Sequence, residues 1–425
     1  MKKNKEIRTL NTKTELLAPA GDEESLRAAL DYGADAVYLG GKGFGMRAGA
    51  KNFDGEDLCR AVALAHEKGV KVYLTCNTLP TNAEVEQFPE FIRHAQRAGI
   101  DAVICADLGV LAMIKEHAPS MELHVSTQTG VVNYKTAQEL YKLGARRVVL
   151  AREVSLEDIR TIRRNIPGDM DIEVFVHGAM CVSFSGRCLI SEYLTGRSAN
   201  RGECAQPCRW GYYLMEEKRP NEFYKVFEDE RGTYILNARD MCMIDHLDDI
   251  IEAGVTSLKI EGRAKSAYYT ALTVNAYRAA LDCALKGEKP PAWVLDEVNK
   301  ISHRPYCTGF FYGKPTDGSG TQDAAAVTNG GQYFAESGYM RDYDFVGTVD
   351  SCENGVMHIT QRNFFRLSDE LEIVPPHAEP FALHAQEMYG ADGVMTDTAR
   401  HAMEQLTIRT DITAPPHSMI RRRVK

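Results

Sequence analysis

Five cysteines lie in one stretch of this 425-residue chain: Cys181, Cys188, Cys204, Cys208 and Cys242. Thiolates are soft ligands, and four of them can hold a [4Fe–4S] cluster or a structural zinc ion. Zinc sites commonly use tight Cys-x2-Cys pairs, and none occurs here. Six, fifteen and three residues separate the first four cysteines. Such loose spacing suits an iron–sulfur cluster lodged in the mouth of a larger fold. Zinc stays as the alternative, and scattered structural thiols as a third reading. Five candidates for four places leave one over, and Cys208 is the first to set aside.

Other reactive side chains follow short apolar runs. His177, four residues before Cys181, is a proton-transfer candidate and equally a buried, hydrogen-bonded structural histidine. Glu261 and Arg263 complete the catalytic candidates. Arg47, Arg152, Lys259 and Gln128 are the substrate-binding candidates, because arginine grips a carboxylate or phosphate with two parallel hydrogen bonds. Asn77, Asp107, Ser126 and Glu153 occupy similar places, where a single residue is as readily a helix cap. Between Cys181 and Tyr212 lie four arginines (Arg187, Arg197, Arg201, Arg209) and two glutamates, with Trp210, Tyr212 and Tyr213 alongside. Arginine with aromatics can stack on unpaired bases. A solvated loop over packed aromatics accounts for it equally well.

The elements that position these groups follow a rhythm. A helical stretch ends at a glycine and a β-branched run follows, at Gly33, Gly69, Gly99, Gly144 and Gly254. Glycine ends helices in the left-handed conformation without a Cβ clash. The runs lack period-2 alternation, as in strands buried on both faces. With LLAPAG (16–21), ELHVSTQTG (122–130) and DIEVFVHG (171–178) they make eight strands, with helices such as 84–97 and 135–143 between them. Eight units predict a closed, TIM-like β/α barrel over 14–315, the open doubly wound sheet being the alternative. In that barrel the reactive residues gather at the C-terminal ends of the strands. The unit between strands seven and eight is oversized, giving a Cys-rich insertion over 179–256 with a hairpin from Tyr212 to Leu236 and a helix over about 238–253. Residues 1–13 read as a flexible tail and 316–339 as a linker. Residues 340–425 read as a small C-terminal β-barrel-like domain with a hairpin at Glu353-Asn354-Gly355.

The bulk composition excludes several classes. No apolar run reaches the roughly 18–20 residues of a membrane span. The N-terminus lacks the apolar core of a secretion signal, so a cytoplasmic protein with reduced cysteines is expected. A formal charge of −9 argues against general coating of nucleic acid, though not against a local basic site. No HExxH, GxSxG or phosphate-loop motif is present.

Four segments carry a resemblance: LLAPAGDEESLRAAL, GADAVYLGGKGFGMRAGAKNF, EVFVHGAMCVSFSGRCLISEYLTGRSANRGECAQPCRW and SLKIEGRAKSAYY. They closely resemble peptidase family U32, the collagenase-like peptidases, over about 15–312, and the C-terminal domain is similar to that family's own. Despite its name, the resemblance implies oxygen-independent hydroxylation with a [4Fe–4S] cluster and prephenate as oxygen donor. The branch this chain most resembles acts on tRNA, forming 5-hydroxyuridine at the wobble position. Other members act on a ribosomal cytidine or a quinone precursor, some paired with a paralogous partner subunit. The implied ligands are Cys181, Cys188, Cys242 and either Cys204 or Cys208, with the spacing from Cys188 favouring Cys204. Prephenate is a dicarboxylate, for which the strand-end arginines and Lys259 are the implied counter-charges. A peptidase and a metal-binding subunit of a heteromeric hydroxylase stand as the alternatives.

Overall fold

In the computed structural model the described residues are 14–46, 51–181, 183, 184, 188–210, 239–313 and 340–424, with four two-residue strands between 214 and 233. The expected tail (1–13), Arg47, Arg187, Tyr212, Tyr213 and the linker (316–339) lie outside them.

Seven parallel strands follow one another: β1 (Glu15–Pro19), β2 (Ala36–Gly40), β3 (Lys71–Cys76), β4 (Ala102–Cys105), β5 (Glu122–Val125), β6 (Arg147–Val149) and β7 (Asp171–Ala179). The insertion then supplies two short ladders, β8 (Leu214–Met215) with β9 (Phe223–Tyr224) and β10 (Glu228–Asp229) with β11 (Gly232–Thr233). They stand where one hairpin was expected. After β12 (Asp240–Cys242) comes β13 (Ser257–Ile260), which pairs in parallel with both β7 and β1 and closes an eight-stranded barrel. The closed barrel is therefore correct and the open sheet is not.

Around it run α1 (Glu23–Asp31), α2 (Gly55–Glu67), α3 (Asn82–Val85), α4 (Phe88–Arg97), α5 (Leu108–His117), α6 (Tyr134–Lys142) and α7 (Leu156–Asn165). α8 (Ile190–Thr195) and α9 (Leu247–Glu252) belong to the insertion, and α10 (Ala267–Lys286) and α11 (Ala292–Asn299) follow β13. The five helix-ending glycines all have positive φ, from 72° at Gly69 to 102° at Gly33. The single helix expected over 84–97 is split. Pro89, in the first turn of α4, has no N–H to give the preceding turn, so a new helix starts there.

Both strand faces are buried, for different reasons. Leu16, Val37, Val72 and Val103 face the helices. Leu17, Ala36, Tyr38, Tyr73, Ala102 and Ile104 form a separate cluster that fills the bore. On the other side of the bore the fill is charged. Arg147 of β6 donates to Glu15 (2.6 Å) and Glu173 (3.2 Å), and Lys259 of β13 donates to Glu173 (2.7 Å).

β7 is the longest barrel strand, and its last residues hold the insertion. Asp240 and Cys242 of β12 pair antiparallel with Ala179 and His177. β14 (Tyr306–Cys307) adds in parallel to β12. The helix expected over about 238–253 is corrected here: a strand, a short 3-10 turn (Ile244–His246) and α9 occupy 240–252. The strand is held from far away, because Arg304 grips Asp240 with its Nε (3.0 Å) and Nη2 (2.6 Å). Such long-range pairing outweighs a local helical pattern.

The C-terminal part is an antiparallel half-barrel. Its strands are β15 (Tyr343–Glu353), β16 (Val356–Gln361), β17 (Phe365–Arg366), β18 (Leu371–Val374), β19 (Phe381–Leu383), β20 (Ala385–Tyr389), β21 (Thr398–Ala399), β22 (Gln405–Thr410) and β23 (Met419–Arg423). Seven of them form one sheet in the order β19-β18-β23-β15-β16-β22-β20, and β17 pairs with β21. The expected hairpin joins β15 to β16, with Asn354 and Gly355 both at positive φ (52° and 78°), as a two-residue primed turn requires. This domain shares the barrel's core. Val374 and Met419 are packed within it, and the Tyr32 hydroxyl donates to the Val374 carbonyl (2.8 Å).

Candidate active site

The C-terminal ends of the barrel strands open into a cavity of about 1080 Å³. Its floor is set by strand alternation: the inward residues Tyr38, Thr75, Ile104, Val149, Phe175 and Lys259 come from six different strands. Segment 197–208 of the insertion supplies one wall, and Ser302 and Arg304 reach in from beyond α11.

Most of the sequence-derived residues meet here. Gln128, Arg152, Lys259, Glu261 and Arg263 line the cavity, as do Asn77, Ser126 and Glu153. Cys181, Cys188, Cys204 and Cys208 line it too. Arg47 is outside the described residues. Asp107 does what a cap does, its carboxylate accepting the Val110 N–H (3.0 Å) at the start of α5.

His177 and Cys242 are not brought to the cavity. They face one another in the β7–β12 ladder, two positions behind Ala179, which does line it. His177 is buried among Tyr269, Tyr277 and Tyr306. Burial disfavours its charged form and holds its pKa down at about 3, so the imidazole is neutral. The Cys242 thiol lies 3.7 Å from the Tyr277 hydroxyl, and burial pushes its pKa up to about 11.

Lys259 sits at the junction of floor and bore. Its ammonium bonds Glu173 and lies 4.4 Å from the centre of the Tyr38 ring, a cation–π contact. Burial alone would raise the Glu173 pKa, but Lys259 and Arg147 outweigh it and keep the carboxyl below the usual range. Arg152 lies over the Phe175 ring (4.0 Å), donates to the Ala179 carbonyl (2.6 Å) and is 3.9 Å from the Glu261 carboxylate. Arg263, nearly fully buried, donates to the Thr75 hydroxyl. A side chain at Gly40 would collide with its guanidinium, and one at Gly21 with its carbonyl. These glycines make the slot it occupies.

The cysteine wall has local order of its own. Gln206 takes a left-handed backbone (φ 57°) in the turn between Cys204 and Cys208, and its N–H donates to the Cys204 sulfur (3.3 Å). Amide bonds to sulfur are typical of cluster-ligating cysteines. The donor set fits a thiolate-held group: four sulfurs line one cavity, none in a disulfide. They share that cavity without converging, because among the described residues no three His, Cys, Asp or Glu side chains are arranged to hold a metal ion.

Sequence reasoning missed Tyr38, Thr75, Lys265, Ser302 and Arg304 as lining residues. Tyr38 and Thr75 are visible once each barrel strand is read for its inward positions. Lys265 follows the Glu261–Arg263 motif closely. Nothing local marks Ser302 or Arg304, which arrive through tertiary contact. Among the described lining residues six are basic (Arg152, Arg197, Lys259, Arg263, Lys265, Arg304) and three acidic (Glu153, Glu203, Glu261), in a chain of net charge −9. Two of the six, Lys259 and Arg304, are paired with Glu173 and Asp240 outside the lining, which leaves Arg152, Arg197, Arg263 and Lys265 against the three glutamates.

A closed β/α barrel with a cysteine-walled, cationic mouth and a docked antiparallel half-barrel defines the class of protein. The chain belongs to peptidase family U32: residues 21–321 match that family and residues 341–421 match its C-terminal domain. It is 36% identical over 424 residues to the tRNA hydroxylation protein P1 of Bacillus subtilis, covering 98% of this chain and 96% of the relative. It is 40% identical over 272 residues to a 23S rRNA 5-hydroxycytidine synthase of Escherichia coli, covering 64% of this chain and 40% of that protein. A collagenase of Porphyromonas gingivalis is 34% identical over 383 residues, covering 85% of this chain and 86% of that one. Among the described residues no helix is long and apolar enough to cross a membrane.

Proposed function

We propose that this protein is an RNA-modifying hydroxylase acting on tRNA, forming 5-hydroxyuridine at the wobble position with prephenate as oxygen donor and a [4Fe–4S] cluster on the cysteine wall. The observation that carries the reading is the composition of one cavity, which four cysteines and an excess of basic side chains line together. Near full-length similarity to a relative named for tRNA hydroxylation supports the RNA substrate. The name of the ribosomal relative points to the same chemistry on another pyrimidine.

The chain's own residues divide the work. Arg152, Arg263 and Lys265 offer guanidinium and ammonium groups to a dicarboxylate, with Lys259 below them as a fixed cation held by Glu173. Glu261, beside Arg152, is the carboxylate placed to move a proton at the mouth. His177 remains neutral and packed behind the cavity, a structural post for the β7–β12 ladder. Replacing C5–H by C5–OH oxidises the base by two electrons, so the oxygen donor must itself be reduced. A cluster held by Cys181, Cys188 and Cys204 or Cys208 would supply the redox chemistry, with Cys242 two positions behind the wall.

The test is anaerobic purification with measurement of iron, acid-labile sulfide and zinc. About four irons per chain are expected for this cluster. Cys181→Ala and Cys188→Ala should abolish cluster retention. Retention in Cys242→Ala would assign the remaining places to Cys204 and Cys208, and its loss would assign Cys242. Zinc without sulfide in the wild-type protein would replace the redox reading with a structural one. tRNA from a deletion strain should lack 5-hydroxyuridine derivatives, and normal levels there would exclude this substrate.

A further inference from the structure

Folding hides large apolar side chains, so where they stay exposed together something else covers them. Six of the eighteen exposed large apolar side chains among the described residues fall between Phe184 and Trp210: Phe184, Leu189, Ile190, Tyr193, Leu194 and Trp210. α8 carries three of them and buries only Ser191, whose hydroxyl accepts the Ala205 N–H (3.0 Å). The helix is thus pinned by its polar residue and turns its apolar ones outward. Tyr193 is 84% exposed. Trp210 ends the turn (Pro207–Arg209) that packs against α8. The Phe184 ring lies 3.5 Å from where a side chain on Gly130 would begin, at the close of the turn after β5.

We propose that Tyr193 and Trp210, with Phe184 beside the β5 turn, form a stacking platform for unpaired bases of the RNA, next to the pocket that receives the reacting base. This rests on the RNA reading above and deepens it by naming the surface. The charge of the adjoining cavity favours RNA over a protein partner. The segment after α8 lends it both Arg197 and Glu203, and its described lining has six basic groups against three acidic ones. Aromatic faces beside guanidinium groups hold single-stranded nucleic acid, because every base has a face to stack and every nucleotide a phosphate. The platform is anchored to the barrel, since Arg201 forms a two-point ion pair with Glu84 of α3 and holds its carboxyl down at about 2. A paired duplex offers no open base face, so the platform selects loops.

The test uses the full chain purified without air, an unmodified tRNA transcript, and a blunt RNA duplex of equal length. Tyr193→Ala and Trp210→Ala should each weaken tRNA binding roughly ten-fold. Duplex binding, iron content and melting temperature should stay unchanged. Tyr193→Trp should restore tRNA binding. The chain has two tryptophans, Trp210 and Trp293, so Trp293→Phe leaves Trp210 as a reporter. Its emission should be quenched by tRNA and not by duplex. Wild-type tRNA affinity in both alanine variants overturns this inference alone. Equal losses for tRNA and duplex also overturn it, showing electrostatic attachment. A protein whose binding Tyr193→Ala abolishes while tRNA binding persists overturns it in favour of a protein interface. Wild-type protein that binds no RNA overturns the functional reading together with the platform.

Discussion

At the scale of single residues, Glu173 is the most constrained group in the barrel. It is fully buried between Arg147 and Lys259, and its two oxygens are shared between them. Replacing a buried charge that has partners leaves those partners uncompensated, which costs about 3–5 kcal/mol. Glu173→Leu should therefore lower stability by about that much in denaturant unfolding. Glu173→Gln keeps the shape and separates charge from packing. The folded carboxyl has a pKa below its unfolded value, so its contribution is complete above the unfolded value of about 4.3. It is lost as pH falls through the folded value. The stability gap between wild type and Glu173→Gln should be constant near neutrality and shrink on acidification, read as melting temperature against pH. A gap that widens below pH 4 would contradict this assignment. Glu173 carried no mark in the sequence, because a lone glutamate in DIEVFVHG reads as an ordinary strand residue until the register brings Arg147 and Lys259 to it.

At the scale of elements, the barrel was readable because five of its eight units repeat one local signal, a left-handed glycine followed by a β-branched run. The insertion was not. β12 has three residues and depends on β7, β14 and Arg304, none near it in sequence. The cysteine wall was half legible: the spacing identified the cysteines, while the fold set Cys242 behind the lining and Cys208 within it. The insertion is tied to the barrel by Glu84 and Arg201 among other contacts, and both side chains are partly exposed. An exposed ion pair is worth at most about 1 kcal/mol. Glu84→Gln should thus leave global melting almost unchanged while speeding proteolysis within 188–210, the segment that carries Arg201. Reconstituting iron and sulfide should slow that cleavage, because binding a group across several ligands orders the segment that carries them. Equal cleavage rates with and without iron would count against a cluster held by this segment.

At the scale of the whole molecule, barrel and half-barrel share one packed core. Arg421 of β23 is fully buried and makes a two-point pair with Glu297 of α11 (2.7 and 2.8 Å), while its ring-facing side meets Tyr343. Val374 and Met419 complete the seam. Arg421→Ala leaves the Glu297 carboxylate buried without its main partner and should cost about 3–5 kcal/mol. Calorimetry should show one transition in the wild type, since the domains share a core. In the variant the half-barrel should melt ahead of the barrel. Two transitions in the wild type would show that the seam is not cooperative. Sequence showed that a second domain exists but not that it docks, since Val374, Met419 and Arg421 lie on strands with adjacent buried residues, and nothing local tells which of these meet the barrel.

The filled bore has a consequence for traffic. Tyr38, Tyr73 and their neighbours on one side, and Arg147 with its carboxylates on the other, leave no tunnel through the barrel among the described residues. A molecule at the mouth therefore has no route along the barrel axis past these side chains. On the function proposed above, a small acid bound at the floor would have to enter ahead of a bulky polymer, and its remnant would leave only after that polymer lifts away.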